Sequence, residues 1–147
     1  MSKINDLIQK GKLKRAVISE DMYIKEYSIS EKDLETAKKS FKDENYKWAT
    51  IQAYYAVFHA VRSLVYKSGF REESHIAMKV AFKELYIDNG TIPMKVYSVL
   101  ERGMDLREMA DYKETYSKDG AETLINGVVD TLGEIRVLIE KNAVNEI

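Results

Sequence analysis

Residues 46–69 of this chain read YKWATIQAYYAVFHAVRSLVYKSG. Four alanines in this stretch are spaced four, three and four residues apart, which places them on one stripe of an α-helix: Ala49, Ala53, Ala56 and Ala60. A neighbouring sector is also apolar, so the helix is apolar around much of its girth. Because such a helix usually lies at the centre of its domain, we predict a central helix here, ending near Gly69.

A polar stripe runs along the same helix. Tyr55, His59, Arg62 and Tyr66 are spaced four, three and four residues apart. An unpaired buried polar group costs about 1–3 kcal/mol, so these side chains require partners. Neighbouring helices, a second subunit or a ligand could each provide them.

The composition describes an ordinary globular chain. Its 147 residues predict one domain, residues 1–147. Hydrophobic residues make up 45% and charged residues 32%, which argues against disorder. The net charge of −1 provides no global attraction for nucleic acid, although a local basic patch could still bind it. The absence of cysteine excludes disulfides, thiol catalysis and thiolate zinc sites.

Targeting and cofactor signals are also lacking in the sequence. No segment resembles a secretory signal or a membrane span, so we expect a cytoplasmic protein that does not associate with membranes. The chain has two histidines, on different predicted helices, and no glycine-rich phosphate loop. We therefore expect no metal and no cofactor.

The remaining helices follow from apolar periodicity and breaker residues. We predict helices that start near Ser30, near Glu72 to Ser74 and at Pro93, and a last helix over roughly 118–142. Residues 1–29 form a further helix or arm. The fold class is therefore all-α, an antiparallel four-helix up-and-down bundle with an extra N-terminal helix or arm.

Two charged segments allow both a structural and a binding interpretation. Basic residues cluster in the arm at Lys10, Lys12, Lys14 and Arg15; they form either a solvated face or a contact with phosphate or an acidic partner. The run from Arg71 to His75 is either a capped helix start or an anion site, because a helix N-terminus and an arginine both attract anions.

A third polar cluster contains Arg107, Asp111 and Tyr112. Arg107 and Asp111 are four residues apart, and an exposed ion pair of this kind contributes about 0.3–0.5 kcal/mol. In the alternative interpretation, Arg107 faces the stripe of Tyr55, His59 and Arg62 and forms a polar pocket with it.

The three pieces in order resemble the HEPN domain family. They are AYYAVFHA at 53–60 followed by Arg62, GFREESH at 69–75, and Arg107 followed by ADY at 110–112, within a resemblance that covers roughly 30–142. The resemblance implies a helical bundle that commonly forms a homodimer. It also implies a minimal nucleotidyltransferase as partner in a toxin–antitoxin pair. Ribonuclease members carry an arginine followed four to six residues later by a histidine, and paired motifs form an RNA cleft at the dimer interface.

This sequence departs from the ribonuclease motif, because no histidine follows Arg107 at that spacing. Arg71 and His75 lie earlier in the chain than the motif would. Our leading hypothesis is a non-catalytic or weakly catalytic HEPN protein that partners a nucleotidyltransferase-like protein and binds nucleotide or RNA. The alternatives are a metal-independent ribonuclease toxin and a purely structural dimerisation module.

Within the leading hypothesis, we assign roles to the candidate residues. Arg107 would contact the anion, Asp111 would orient Arg107, and Tyr112 would form a hydrogen bond or stack. The secondary candidates are Arg71, His75, His59, Arg62 and Tyr55.

Overall fold

The computed structural model describes the backbone of residues 2–145 and the side chains of residues 3–140. In chain order the elements are α1 (Ser2–Gln9), β1 (Leu13–Arg15), α2 (Glu20–Lys42), α3 (Tyr46–Lys67), β2 (Phe70–Glu72), α4 (His75–Phe82), a π-helical turn (Lys83–Ile87), α5 (Met94–Tyr112) and α6 (Lys118–Asn145). The predicted all-α bundle is confirmed. Within the described residues, every helix is too short or too polar to cross a membrane.

Helix α3 is the centre of the bundle and packs against α2, α5 and α6. Fourteen of its 22 residues are buried, and all four alanines of the stripe are fully buried. Helix α5 approaches closely at Gly103, where a Cβ atom would lie 3.2 Å from Cδ1 of Tyr54. Gly103 therefore lets α5 lie close to α3 beside Tyr54.

The start of α2 differs from the prediction. The helix begins at Glu20, because Ser19 accepts a hydrogen bond from the Met22 N–H at 3.2 Å and two acidic residues occupy the first turn. Ser30 is no cap; it is buried in mid-helix and its hydroxyl donates to the Tyr27 carbonyl. The earlier start brings Glu26 onto the helix that faces α3.

A short antiparallel ribbon of β1 and β2 was not predicted, since three-residue strands are too short to show alternation. Its register places Leu13 opposite Glu72, Lys14 opposite Arg71 and Arg15 opposite Phe70. Gly69 enters the ribbon with φ of +87°, a left-handed conformation that glycine adopts without strain. The ribbon ties the N-terminal arm to the segment between α3 and α4.

Candidate anion-binding site

The polar stripe of α3 finds partners on three elements: α2, β2 and α5. Tyr55, His59 and Arg62 are half-buried and Tyr66 is buried. Each of these side chains contacts a charged group or an aromatic ring. These contacts connect the three sequence clusters in space.

Arg107 of α5 lies against Tyr55, the first residue of the stripe. Its Nη2 donates to the Tyr55 hydroxyl at 3.1 Å and lies 3.3 Å from Oδ2 of Asp111. The guanidinium stacks between two rings, 5.6 Å from that of Tyr55 and 5.3 Å from that of Tyr112. Its Nε is buried and has no hydrogen-bond partner among the described residues. Arg107 is thus held in place, and its side chain remains 20% exposed.

Arg62 forms a second cationic centre on α3, about two helical turns beyond Tyr55. Its Nη2 lies 2.7 Å from Oε2 of Glu72, and its Nη1 lies 3.5 Å from Oε1 of Glu26. The guanidinium packs over Phe58 at 5.2 Å and Tyr66 at 5.4 Å. Two atoms of this cluster, Nε of Arg62 and Oε1 of Glu72, are buried without a hydrogen bond to the described part of the chain. Native proteins seldom leave such atoms unpaired.

His59 faces α2 rather than Arg107. Its Nδ1 lies 2.5 Å from Oε1 of Glu26 and its Nε2 lies 3.8 Å from Oδ2 of Asp33. Burial raises the pKa of the Asp33 carboxyl, Glu26 raises it further, and His59 opposes the shift. Because both ring nitrogens face carboxylates, His59 connects α2 to α3.

His75, the first residue of α4, lies on the same side as Arg107. Its ring packs on Phe58 at 4.3 Å between centroids, and its Nδ1 lies 2.9 Å from the Tyr54 hydroxyl. Burial raises the pKa of Tyr54, so the phenol stays protonated and its hydroxyl donates a hydrogen bond to Nδ1. The pKa of His75 is lowered, first by burial and then by the charge of Arg107. We therefore assign a neutral imidazole with its proton on Nε2.

Two arginines and four rings form a continuous arginine–aromatic row. Its members, in spatial order, are Tyr112, Arg107, Tyr55, Phe58, Arg62 and Tyr66, and successive members lie 5.2–6.2 Å apart. Guanidinium groups bind phosphate through paired hydrogen bonds, and exposed rings can stack on a base. Tyr112, which is 69% exposed, offers the most ring surface.

The structure brings together most of the predicted site residues. Arg107, Asp111, Tyr112 and Tyr55 form one unit, and Arg62 and His75 adjoin it through Phe58. His59 points away toward α2, and Arg71 lies on β2 beyond the end of the row. The ion pair and the contact of Arg107 with the stripe coexist, so the two interpretations of Arg107 are not alternatives.

Sequence reasoning missed several partners. Tyr54 and Phe58 carry only an apolar signal, although Tyr54 supplies a hydroxyl to His75. Glu26 and Asp33 are seven residues apart on one face of α2. That spacing could have indicated a carboxylate pair if the helix had been predicted to start at Glu20.

The fold is that of a small all-helical domain whose central helix carries the arginine–aromatic row. The family model for the HEPN domain matches residues 25–136. A relative from Methanocaldococcus jannaschii, named a "putative toxin", is 28% identical over 98 residues, which span 66% of this chain and 73% of the relative. A UPF0332 protein from Archaeoglobus fulgidus is 34% identical over 120 residues, 80% of this chain and 90% of the relative.

A solved structure has the same fold. The crystal structure of an archaeal HEPN homologue superposes with a TM-score of 0.59 at 18% identity, covering 80% of this chain and 97% of that one. The chain belongs to the HEPN family, which confirms the resemblance described above. Helix α1 and strand β1 lie before the matched residues.

Proposed function

We propose that this protein binds nucleotide or RNA phosphate at the arginine–aromatic row. We further propose that it acts as the HEPN member of a toxin–antitoxin pair with a nucleotidyltransferase-like protein. The observation that carries the binding proposal is Arg107, which Tyr55 and Asp111 orient while its side chain stays 20% exposed. The toxin-like role is supported by the family and by the name of the Methanocaldococcus relative.

Charge matching makes Arg107 the principal anion contact. Glu72 and Glu26 both approach the Arg62 guanidinium and offset much of its charge. Among the described residues, Arg107 pairs with one carboxylate, that of Asp111, whose side chain is 35% exposed and therefore screened by water. The site around Arg107 is therefore the more electropositive one, and a phosphate there would displace little existing pairing.

The binding test uses AMP and a short single-stranded RNA, measured by calorimetry and fluorescence anisotropy. Arg107→Gln should weaken binding about 10- to 100-fold, because a hydrogen bond to a charged group contributes roughly 1.5–3 kcal/mol. Arg102→Gln removes an exposed arginine from the same helix and should bind as the wild type does. The proposal fails if a homogeneous, folded sample binds neither ligand.

The partner proposal has a separate test. Expression of the chain in a bacterial host should arrest growth, and co-expression of a nucleotidyltransferase-like protein should relieve the arrest. Affinity purification of the co-expressed pair should recover a complex of both chains. Normal growth together with no complex would remove the toxin–antitoxin role and leave the binding proposal to its own test.

We also propose that the protein forms a homodimer. Support comes from a groove of about 700 Å³ between α2 and α6, lined by Tyr27, Leu132 and Gly133 among others. Two apolar side chains of α6 lie exposed beside it, Val129 at 40% and Val137 at 61%. Light scattering at micromolar concentration should give twice the chain mass, and Val137→Glu should halve it. A monomeric wild type would contradict the proposal.

One observation favours a metal-independent ribonuclease as a second candidate. His75 is neutral, close enough to Arg107 for that charge to lower its pKa, and carries its proton on Nε2 beside the row. A neutral imidazole can transfer protons near neutral pH. RNA cleavage in the presence of EDTA, abolished by His75→Gln while binding persists, would establish the activity. RNA left intact at high protein concentration would exclude it.

A further inference from the structure

We infer that Lys14 and Arg71, on the β1–β2 ribbon, form a second phosphate subsite that extends the row to a single-stranded RNA of several nucleotides. This inference rests on the proposed function for its ligand class. Strand β1 precedes the residues that match the HEPN family. The subsite is therefore built by the N-terminal arm of this chain together with β2.

The ribbon register places two cations directly opposite each other. Lys14 pairs with Arg71, and both side chains are exposed, whereas Leu13 and Phe70, their neighbours along the two strands, are buried. Directly opposed side chains on an antiparallel pair lie roughly 4.5–5.5 Å apart at Cβ, and like charges there destabilise the pair. The spacing lets one phosphate contact both cations and remove this repulsion.

Existing partners offset only part of the positive charge of Lys14 and Arg71. Lys14 lies 3.2 Å from Oε1 of Glu73, but the two side chains are 65% and 46% exposed, so this pair is weak. Arg71 forms no ion pair with any residue in the described part of the chain. Its guanidinium instead lies 6.0 Å from the ring of Tyr66.

That ring connects the ribbon to the row. Tyr66 also lies 5.4 Å from the Arg62 guanidinium, so the sequence of cations and rings continues from Arg107 to the ribbon. The stretch of α3 from Tyr55 to Tyr66 is about 16 Å long at 1.5 Å per residue. A stacked strand advances roughly 3.4 Å per nucleotide, so this length corresponds to about five nucleotides.

Single-stranded RNA fits this surface better than an acidic protein segment. Cations that track a backbone, interleaved with aromatic rings, are typical of sites for unpaired nucleic acid. Tyr112 and Tyr55 present ring surface at the Arg107 end, and the ribbon presents Lys14 and Arg71 at the other. The expected arrangement is bases near Arg107 and backbone phosphate at the ribbon.

The test measures the affinity for AMP and for RNAs of two, four and six nucleotides over a range of salt concentrations. In the double variant Lys14→Gln/Arg71→Gln, the ratio of hexamer affinity to AMP affinity should fall. The slope of log affinity against log salt for the hexamer should decrease by about 0.7, since the two cations share one phosphate and each phosphate contact to a single strand contributes about 0.7. The matched control Lys39→Gln/Lys42→Gln removes two exposed cations near the C-terminal end of α2, and should keep the wild-type slope.

A charge reversal separates binding from folding. Arg71→Glu places an opposite charge across from Lys14, which should maintain or strengthen the ribbon, yet it should weaken hexamer binding more than Arg71→Gln does. Wild-type hexamer binding and salt slope in these ribbon variants would overturn the subsite while leaving the Arg107 site standing. A wild type that binds neither AMP nor RNA would overturn the proposed function and the subsite with it. If the ribbon variants lost binding to a protein partner but kept wild-type RNA binding, that result would also overturn the subsite.

Discussion

The pair of Arg62 and Glu72 provides the sharpest test of how the site is built. Oε2 of Glu72 lies 2.7 Å from Arg62, and the Glu72 side chain is only 4% exposed. Its other oxygen is buried and has no partner among the described residues. The substitution Arg62→Leu would therefore leave a buried carboxylate whose principal counter-charge is gone.

The expected cost follows from this burial. Breaking a buried ion pair by removing one partner destabilises a protein by about 3–5 kcal/mol. Arg62 itself is 28% exposed, so we expect the lower end of that range, about 3 kcal/mol, which is a large share of a typical stability of about 5–15 kcal/mol. The double variant Arg62→Leu/Glu72→Leu removes the buried charge as well and should be more stable than Arg62→Leu alone.

Urea unfolding followed by far-UV circular dichroism measures the free energies of unfolding of the wild type, Arg62→Leu and the double variant. The pair Arg136–Glu140 is a matched control, because its N–O distance is also 2.7 Å but its side chains are 58% and 60% exposed. Arg136→Leu should therefore cost less than about 1 kcal/mol. The reasoning is refuted if the Arg62 and Arg136 variants lose equal stability, or if adding Glu72→Leu lowers the stability of Arg62→Leu further.

Three further predictions concern the surroundings of His75. Tyr54→Phe removes the hydroxyl that donates to His75 and should lower the free energy of unfolding by about 1–2 kcal/mol, measured in urea; an unchanged midpoint would contradict the hydrogen bond. Because the pKa of His75 is lowered in the folded protein, the unfolded chain binds a proton at higher pH than the folded chain does. The free energy of unfolding should therefore fall as the pH drops below about 6.5 toward the folded pKa. His75→Gln should reduce this loss, measured by unfolding curves at pH 7.5 and 5. Ser74→Ala removes the cap of α4 and should cost about 1 kcal/mol by thermal unfolding, whereas the exposed Ser98→Ala should change stability by less than about 0.5 kcal/mol.

The central helix could be predicted because its signal is local. Four alanines at helical spacing predict a buried stripe, and all four are fully buried. The start of α2 was predicted wrongly because Ser30 and Ser19 are both credible caps in sequence. Only the packing of Tyr23 and Tyr27 into the core decides for Ser19. The ribbon was missed because its pairing joins strands more than 50 residues apart.

The candidate site was predictable in part for the same reason. Arg107 and Asp111 are one helical turn apart, so their pairing follows from spacing alone. The contact between Arg107 and Tyr55 joins residues 52 positions apart, and sequence offered it only as an alternative. The partners of His59 lie on α2, and the misplaced helix start hid Glu26. Periodicity identifies which side chains share one face of a helix. It does not identify which neighbouring element packs against that face.

The most direct test of the anion site uses the two histidines of the chain as reporters. Imidazole resonances, assigned with His59→Gln and His75→Gln, are followed by NMR during titration with a single-stranded RNA hexamer. We predict that the His75 signals shift in the wild type and remain fixed in Arg107→Gln, while His59, held between Glu26 and Asp33, moves little. Saturating RNA that leaves His75 unmoved would contradict the claim that Arg107 and His75 share one binding site.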